Sequence, residues 1–521
     1  MMKKFLAVIM SAVILFTLVG CAKGDSNSPT ADKGSNTASG KKESITLLYS
    51  LSDSFNPYES ITDQNREITK LIFEPLVRVD NEFNAVLALA KDVKIEGAVC
   101  TVTLKNVSFS DGSTLTSDDV VYSCKAAQAS NSIYKSKLYE VKSVVAANRD
   151  TVVFTLAKAD PYFKNLLDFP IFKSGSDKIV DEDSVKQVPI GCGKYVFNSD
   201  KTELVQNKKY YGGSGNIEKI KLINAPDRES VAHYVEIGAT DIYFNDISDG
   251  EIIRMSGHKS DINLNNLVYI GVNHSYGALS LSELRQAISS GINRNEICGD
   301  AFYNNAVSAN GFFTPVWDAT KSVQNIQTSS NSQITIENLE EIGYNSLDSE
   351  GVRRNGGRSL KFSLMVNKEN RSRVKTAKMV ADQLKAYGIK ITVLEVSFNE
   401  YINRLQNGNF QLYLGEVKIT ENMDLSPLIV AGGSAAFGMK NTAKNEDKEE
   451  KGEEENAVKA SSSADIINLF YKGNAEITDV VSVLQTEMPI IPVCYRLGVL
   501  FSKEGINIGD ASQNDIFLNI K

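Results

Sequence analysis

A chain of 521 residues is too long for a single hydrophobic core, so two or three lobes are expected. Its 42% hydrophobic content is that of a folded globular protein, and a net charge of −8 argues against nucleic acid as a partner. The three histidines, His233, His258 and His274, form no ligand pair on one helix, and no C-x-x-C spacing occurs. Neither a metal nor any other cofactor is therefore expected.

At the N-terminus, Lys3 and Lys4 precede an apolar run from Phe5 to Val19, and the small residue Gly20 closes it. This is the pattern of a signal segment, and the run falls short of the roughly 20 residues that a membrane span needs. Because Cys21 follows Gly20 directly, residues 1–20 resemble a bacterial lipoprotein signal peptide, with an ordinary secretory signal as the alternative. The resemblance implies a lipid anchor on Cys21 and a location on the extracytoplasmic face of the cell membrane. Residues 21–43 are mostly small and polar, the composition of a flexible tether.

Residues 46–49 read as the first strand. Cys100, Val102 and Leu104 alternate with polar residues, which predicts a half-buried strand. After the turn at Asp111 and Gly112, Thr116 with Asp119 forms a capping box opening a helix through Val120, Val121 and Cys124. Whether Cys100 and Cys124 pair is open. Five cysteines remain beyond Cys21, at irregular spacings that do not suggest a disulfide framework.

Helical spacing recurs at Leu284, Ala287, Ile288 and Ile292, and at Val380, Leu384 and Ala386 before Gly388. Strands are predicted at 390–396 and 410–416. The acidic tract 441–463, rich in Glu and Lys, buries too little apolar surface to order itself and is expected to loop out. Strands alternating with helices predict mixed α/β lobes. An exported hydrolase is the rival class, but the chain shows no G-x-S-x-G, H-E-x-x-H or nucleotide-loop motif, so no enzyme is expected.

Several segments in fixed order resemble the extracellular solute-binding proteins of peptide and nickel ABC importers. They are Phe73-Glu-Pro-Leu-Val77, Phe109-Ser-Asp-Gly-Ser-Thr-Leu-Thr116 with Ser117-Asp-Asp-Val120, Gly191-Cys-Gly-Lys-Tyr195 and Asn207-Lys-Lys-Tyr-Tyr-Gly212. Arg285-Gln-Ala-Ile288 with Asn293-Arg294, and Met488-Pro-Ile-Ile-Pro492, continue the series. The resemblance implies an α/β, two-lobed periplasmic-binding-protein-like fold of type II with an extra inserted domain. Residues 44–71, 185–270 and 481–521 would form lobe one, 72–184 the insertion, and 271–480 lobe two. Implied partners are a small peptide ligand and the permease subunits of an ABC importer, served by a monomer. A receptor for peptide signals and a nickel-chelate binder are further members of the same fold.

The same resemblance locates the site. In the family an extended peptide adds itself as a strand, and here 410–416 holds the matching position, where Gly415 admits a close backbone. An ordinary core strand is the alternative. Glu416 stands where relatives carry tryptophan. Glu421 and Asp424 are the two candidates for an acid that pairs with the ligand's ammonium group, since a buried ammonium without a counter-charge costs several kcal/mol. For the ligand carboxylate the candidates are Arg371, Arg373 and Lys368.

Overall fold

The period-2 pattern at Cys100, Val102 and Leu104 is realised as strand Val99–Leu104, in which those three side chains are buried. The strand lies inside a four-stranded antiparallel sheet with Ala90–Glu96, Thr151–Leu156 and Val141–Asn148. Helix Ser117–Ala129 follows, opened as expected by its capping box: the Asp119 carboxylate accepts the Thr116 N–H at 2.9 Å. Cys100 and Cys124 are free, buried thiols, and Cys192, Cys298 and Cys494 are likewise free and buried.

The computed structural model describes residues 43–518 and 520, apart from 249, 252, 324–329 and 441–461. The expected signal segment 1–20, the anchor Cys21, the tether up to residue 42 and all but the last two residues of the acidic tract lie outside the described residues. Among the described residues no helix is long and apolar enough to cross a membrane.

Strand Ser44–Tyr49 pairs in parallel with Lys219–Asn224, and Glu203–Gln206 and Tyr195–Phe197 complete that sheet. A larger mixed sheet has the order Ile242–Asn245, Ile490–Ser502, His258–Val272, Leu412–Lys418, Lys361–Asn367, Lys390–Val396. Helix Ser282–Ser290 buries Leu284, Ala287 and Ile288, and helix Arg371–Lys385 ends before Gly388, whose φ of +75° suits glycine. The strand expected at 410–416 begins two residues later. Phe410 and Gln411 are held by Asn273 instead, through its side-chain amide to Phe410 O and its N–H to Gln411 O, each 2.9 Å.

Two large cores result. One gathers Ile45, Cys100, Phe154, Phe172, Ile220 and Phe517, and the other gathers Ile270, Leu284, Trp317, Leu364, Leu414 and Ile491. The long strands His258–Val272 and Ile490–Ser502 serve both: Ile262 and Leu500 belong to the first core, Ile270 and Ile491 to the second. Between those ends their register shifts, from Asn263 to Leu267 and again at Val268 and Tyr269. A bulge there bends the shared ribbon where it passes from one core to the other.

Candidate binding cleft

Helix Asp63–Ile72 shows how the sequence builds one wall of a cleft. Ile68, Leu71 and Ile72 face the core, while Asp63, Glu67 and Lys70 follow a polar stripe at positions i, i+4 and i+7. That stripe lines a cavity of about 240 Å³. Opposite it stand Asp246, just beyond strand Ile242–Asn245, Asn266 in the bulge, Lys418 at the end of strand Leu412–Lys418, and Gln513.

The charges around the cavity are unevenly paired. Lys70 lies 2.7 Å from Glu67, and Arg66 reaches Asp63 at 3.4 Å. Asp246 accepts the Ser248 N–H at 2.9 Å and takes part in no ion pair with a described residue. Lys418 has no ion-pair or side-chain hydrogen-bond partner among the described residues. Its side chain is exposed beside the cavity. Nearby protein atoms lower its ammonium pKa, with Lys137 and Lys70 acting in the same direction and Glu421 against them. Nearby protein atoms and the neighbouring charge of Asp246 both raise the Asp63 carboxyl, although its side chain is 84% exposed.

Glu421 lies behind Lys418 and is closed to solvent. Its Oε2 is 2.9 Å from Lys137 Nζ, which also binds Asp168 at 2.6 Å, and Gln513 Nε2 donates to Oε1 at 3.3 Å. Burial opposes the charge on Glu421, but Lys137 and Lys418 overcome it and hold the carboxyl below its usual range. Asp424 is also partnered: Lys158 Nζ lies 3.0 Å from Oδ2, and the Ser426 N–H donates to Oδ1 at 2.8 Å.

Glu416 forms a buried ion pair with Arg496 at 2.6 Å and accepts from Asn266 Nδ2 at 3.0 Å. Arg496 also bonds to Asp246 O, which ties the shared ribbon to the cavity wall. At Gly415 a Cβ would lie 2.9 Å from the Tyr269 ring and 3.0 Å from Tyr413, so packing inside the protein already demands glycine there. Arg371 and Lys368 are exposed, and Arg373 has a buried Nε without a hydrogen-bond partner. None of these three lines the cavity, nor does Asp424.

Glu416 and Glu421 do not line the cavity either: each touches it only through a lining residue, Asn266 and Gln513 respectively, and Glu421 is fully buried. Lys418, Asp63 and Asp246, which line the cavity, are not singled out by the sequence reading. Lys418 was within reach, because it follows Glu416 by two residues and strand side chains at i and i+2 share a face.

Strand Leu412–Lys418 is paired along its whole length with His258–Val272. Its other edge meets Lys361–Asn367 only at Leu412 and Tyr413. Tyr401 Oη donates to Leu414 O at 2.9 Å, and beyond it the backbone from Gly415 to Lys418 has no strand neighbour on that side. An unpaired edge of this kind is a template for an added strand.

The apolar residues that line the cavity, among them Leu47, Ile68, Ile242, Leu264 and Phe517, belong to the first core. Residues 82–432 match the model for the bacterial extracellular solute-binding proteins, family 5, and the chain belongs to that family. It is 24% identical over 435 residues to the oligopeptide-binding protein AppA of Bacillus subtilis, covering 78% of each chain. It is 27% identical over 405 residues to a dipeptide-binding protein of Lactococcus lactis subsp. cremoris, covering 68% of this chain and 72% of that one. Among solved structures it resembles the unliganded open form of the murein tripeptide-binding protein MppA, with a TM-score of 0.71 at 18% identity over 90% of this chain and 94% of that one. A nickel ABC transporter structure from Bacillus halodurans gives a TM-score of 0.69 at 17% identity, covering 91% and 98%. The fold is therefore the two-lobed α/β fold of periplasmic binding proteins, and the chain is an extracytoplasmic solute-binding protein, not an enzyme.

Proposed function

We propose that this protein captures short peptides outside the cell by closing its two lobes, and delivers them to an ABC importer while anchored through a lipid on Cys21. The observation that carries the peptide reading is the open edge from Gly415 to Lys418, which offers main-chain hydrogen bonds beside a charged cavity. Such bonds supply affinity without reading side chains, so a range of sequences is accepted. The peptide-binding relatives AppA and the dipeptide-binding protein support the same reading. Closure bends the bulged ribbon between the cores, the place where a hinge absorbs dihedral change.

Native mass spectrometry of the purified chain mixed with a random pool of di- to pentapeptides tests the capture step. A mass shift of peptide size, with the peptide released intact, is expected; no bound species at any pool concentration would remove the peptide reading. Fractionating cells that express Cys21→Ser tests the anchor. The variant is expected in the medium or as an uncut precursor, and its recovery as a trimmed, membrane-bound protein would refute the anchor.

A further inference from the structure

Two thiols that the cleft does not use lie side by side in the second core. Helix Arg294–Asp300 buries Cys298 and packs on strand Ile490–Ser502, and strand Ala306–Ser308 pairs with that same strand so that Ser308 stands opposite Cys494. Opposed residues of an antiparallel pair share a face, with Cβ atoms about 4.5–5.5 Å apart. Cys298 reaches the same place: its Sγ lies 3.8 Å from Ser308 Oγ, and the Cys494 thiol donates a hydrogen bond to the Cys298 sulfur.

The charges around the pair favour a thiolate on Cys298. Arg294 is 3% exposed, and its guanidinium donates to neutral oxygens, Pro492 O and Ser289 O at 2.9 Å and Ser289 Oγ at 2.7 Å. Among the described residues it has no carboxylate partner, and the ionisable groups acting on it are Cys298 and Cys494. A buried cation without a counter-charge is costly, and a sulfur anion supplies one. The hydrogen bond from Cys494 and the charge of Arg294 hold the Cys298 thiol below its ordinary range, whereas burial, the Cys298 charge and Glu416 push Cys494 up against the opposing pull of Arg496. Cys298 keeps 7% of its surface open and Cys494 none. An accessible thiolate with a second thiol behind it is the arrangement of an oxidisable pair.

Cys494 also marks a particular point of the shared ribbon. It opposes Val268, whereas Pro492 opposes Tyr269, so Val493 is the extra residue of the bulge between the cores.

We propose that Cys298 and Cys494 form a peroxide-sensitive redox pair, which closes to a disulfide and pins helix Arg294–Asp300 to the ribbon beside its bulge. The Cys298 thiolate attacks one oxygen of hydrogen peroxide, the O–O bond breaks, and the departing hydroxide takes up the proton that Cys298 released. Cys494 then attacks the resulting sulfenic sulfur, the S–O bond breaks, and hydroxide leaves with the Cys494 proton as water. Two thiols are oxidised, one peroxide is reduced, and two waters are formed. An extracytoplasmic chain meets such oxidants outside the reducing pool of the cytoplasm. The reaction needs no bound ligand and is independent of the peptide reading.

The test uses the full chain carrying Cys21→Ser, so that the five buried thiols alone can react, treated while folded and reduced with a stoichiometric amount of hydrogen peroxide. Intact mass is expected to fall by two hydrogen atoms, and peptide mapping should join the peptide of Cys298 to that of Cys494. Cys494→Ser should stop at a sulfenic acid on Cys298, trapped by dimedone, and Cys298→Ser should leave Cys494 unoxidised. In the oxidised chain the denaturant midpoint should rise and amide exchange around the bulge should slow, both reversed by dithiothreitol. Oxidation of Cys298 to a sulfenic or sulfinic acid without a bond to Cys494, a bond between other cysteines instead, or no oxidation of the folded chain would each overturn the pair. A bond that forms without changing midpoint or exchange would overturn the pinning of the ribbon.

Discussion

Lys137 bridges two carboxylates that are far apart in the chain, lying 2.6 Å from Asp168 and 2.9 Å from Glu421, with none of the three side chains more than 6% exposed. Removing the central cation would strand two buried negative charges. Lys137→Met is expected to cost about 3–5 kcal/mol of unfolding free energy. Glu421→Gln should cost clearly less, because Asp168 still holds the lysine. Denaturant titration of the two variants checks the order, and equal losses would show that Lys137 does not act through both acids.

Gly193 has no room for a side chain. A Cβ there would lie 2.4 Å from Ile72 C and 2.5 Å from Leu71 O, and backbone atoms cannot swing aside. The Gly193 N–H also donates to Ile72 O at 2.8 Å, so any retreat breaks a bond between two segments that pack in the first core. Gly193→Ala is expected to destabilise by at least about 2 kcal/mol, read as a lowered denaturant midpoint. A midpoint equal to that of the wild type would contradict the contact.

His274 should make stability fall in mild acid. Burial and the nearby charges of Arg285 and Lys440 lower its pKa from 6.5 to about 4, while Nε2 donates to Pro489 O at 2.8 Å. The unfolded chain takes up a proton as pH drops below about 6.5, and the folded chain does not until about 4. The stability due to neutral His274 is thus complete above about pH 6.5 and is lost progressively down to about pH 4, amounting to about 3 kcal/mol at most. His274→Gln should flatten the decline across that window relative to wild type; parallel curves would exclude the histidine as its source.

Thiol chemistry should single out Cys298. Burial raises the Cys100 and Cys124 thiols to about 12 and the Cys192 thiol beyond that. Cys298 is shifted down instead, by a hydrogen bond with Cys494 and with help from Ser308 and Arg294, and it is 7% exposed. Brief alkylation of the native protein with iodoacetamide, followed by peptide mapping, should find Cys298 modified first among the five. Earlier modification of Cys100 or Cys192 would show that local opening, not thiolate character, governs access.

Much of the fold was legible in the sequence because periodicity reports which face of an element is buried. The alternation at Cys100, Val102 and Leu104 and the helical spacing at Leu284, Ala287 and Ile288 both gave the right element and the right buried face. The strand before Glu416 was found but started two residues early, since Asn273 captures Phe410 and Gln411 by bonds that no local pattern announces. The charged groups of the site were harder to read. Lys137 sits between Ser136 and Leu138 in a polar stretch that reads as solvated surface, and only the tertiary approach of Asp168 and Glu421 buries it. Asp63 and Asp246 likewise come together only because two distant segments line one cavity.

The long strands His258–Val272 and Ile490–Ser502 also couple the fates of the two lobes when the protein comes apart. Each strand contributes apolar side chains to both cores, so disordering either core strips rungs from the hydrogen-bond ladder that anchors the other. Lobes joined by a slack linker would melt at separate temperatures, each as its own cooperative unit. Here the ribbon is a common spine, and the lobes are expected to lose structure in one calorimetric transition even though each has a core of its own.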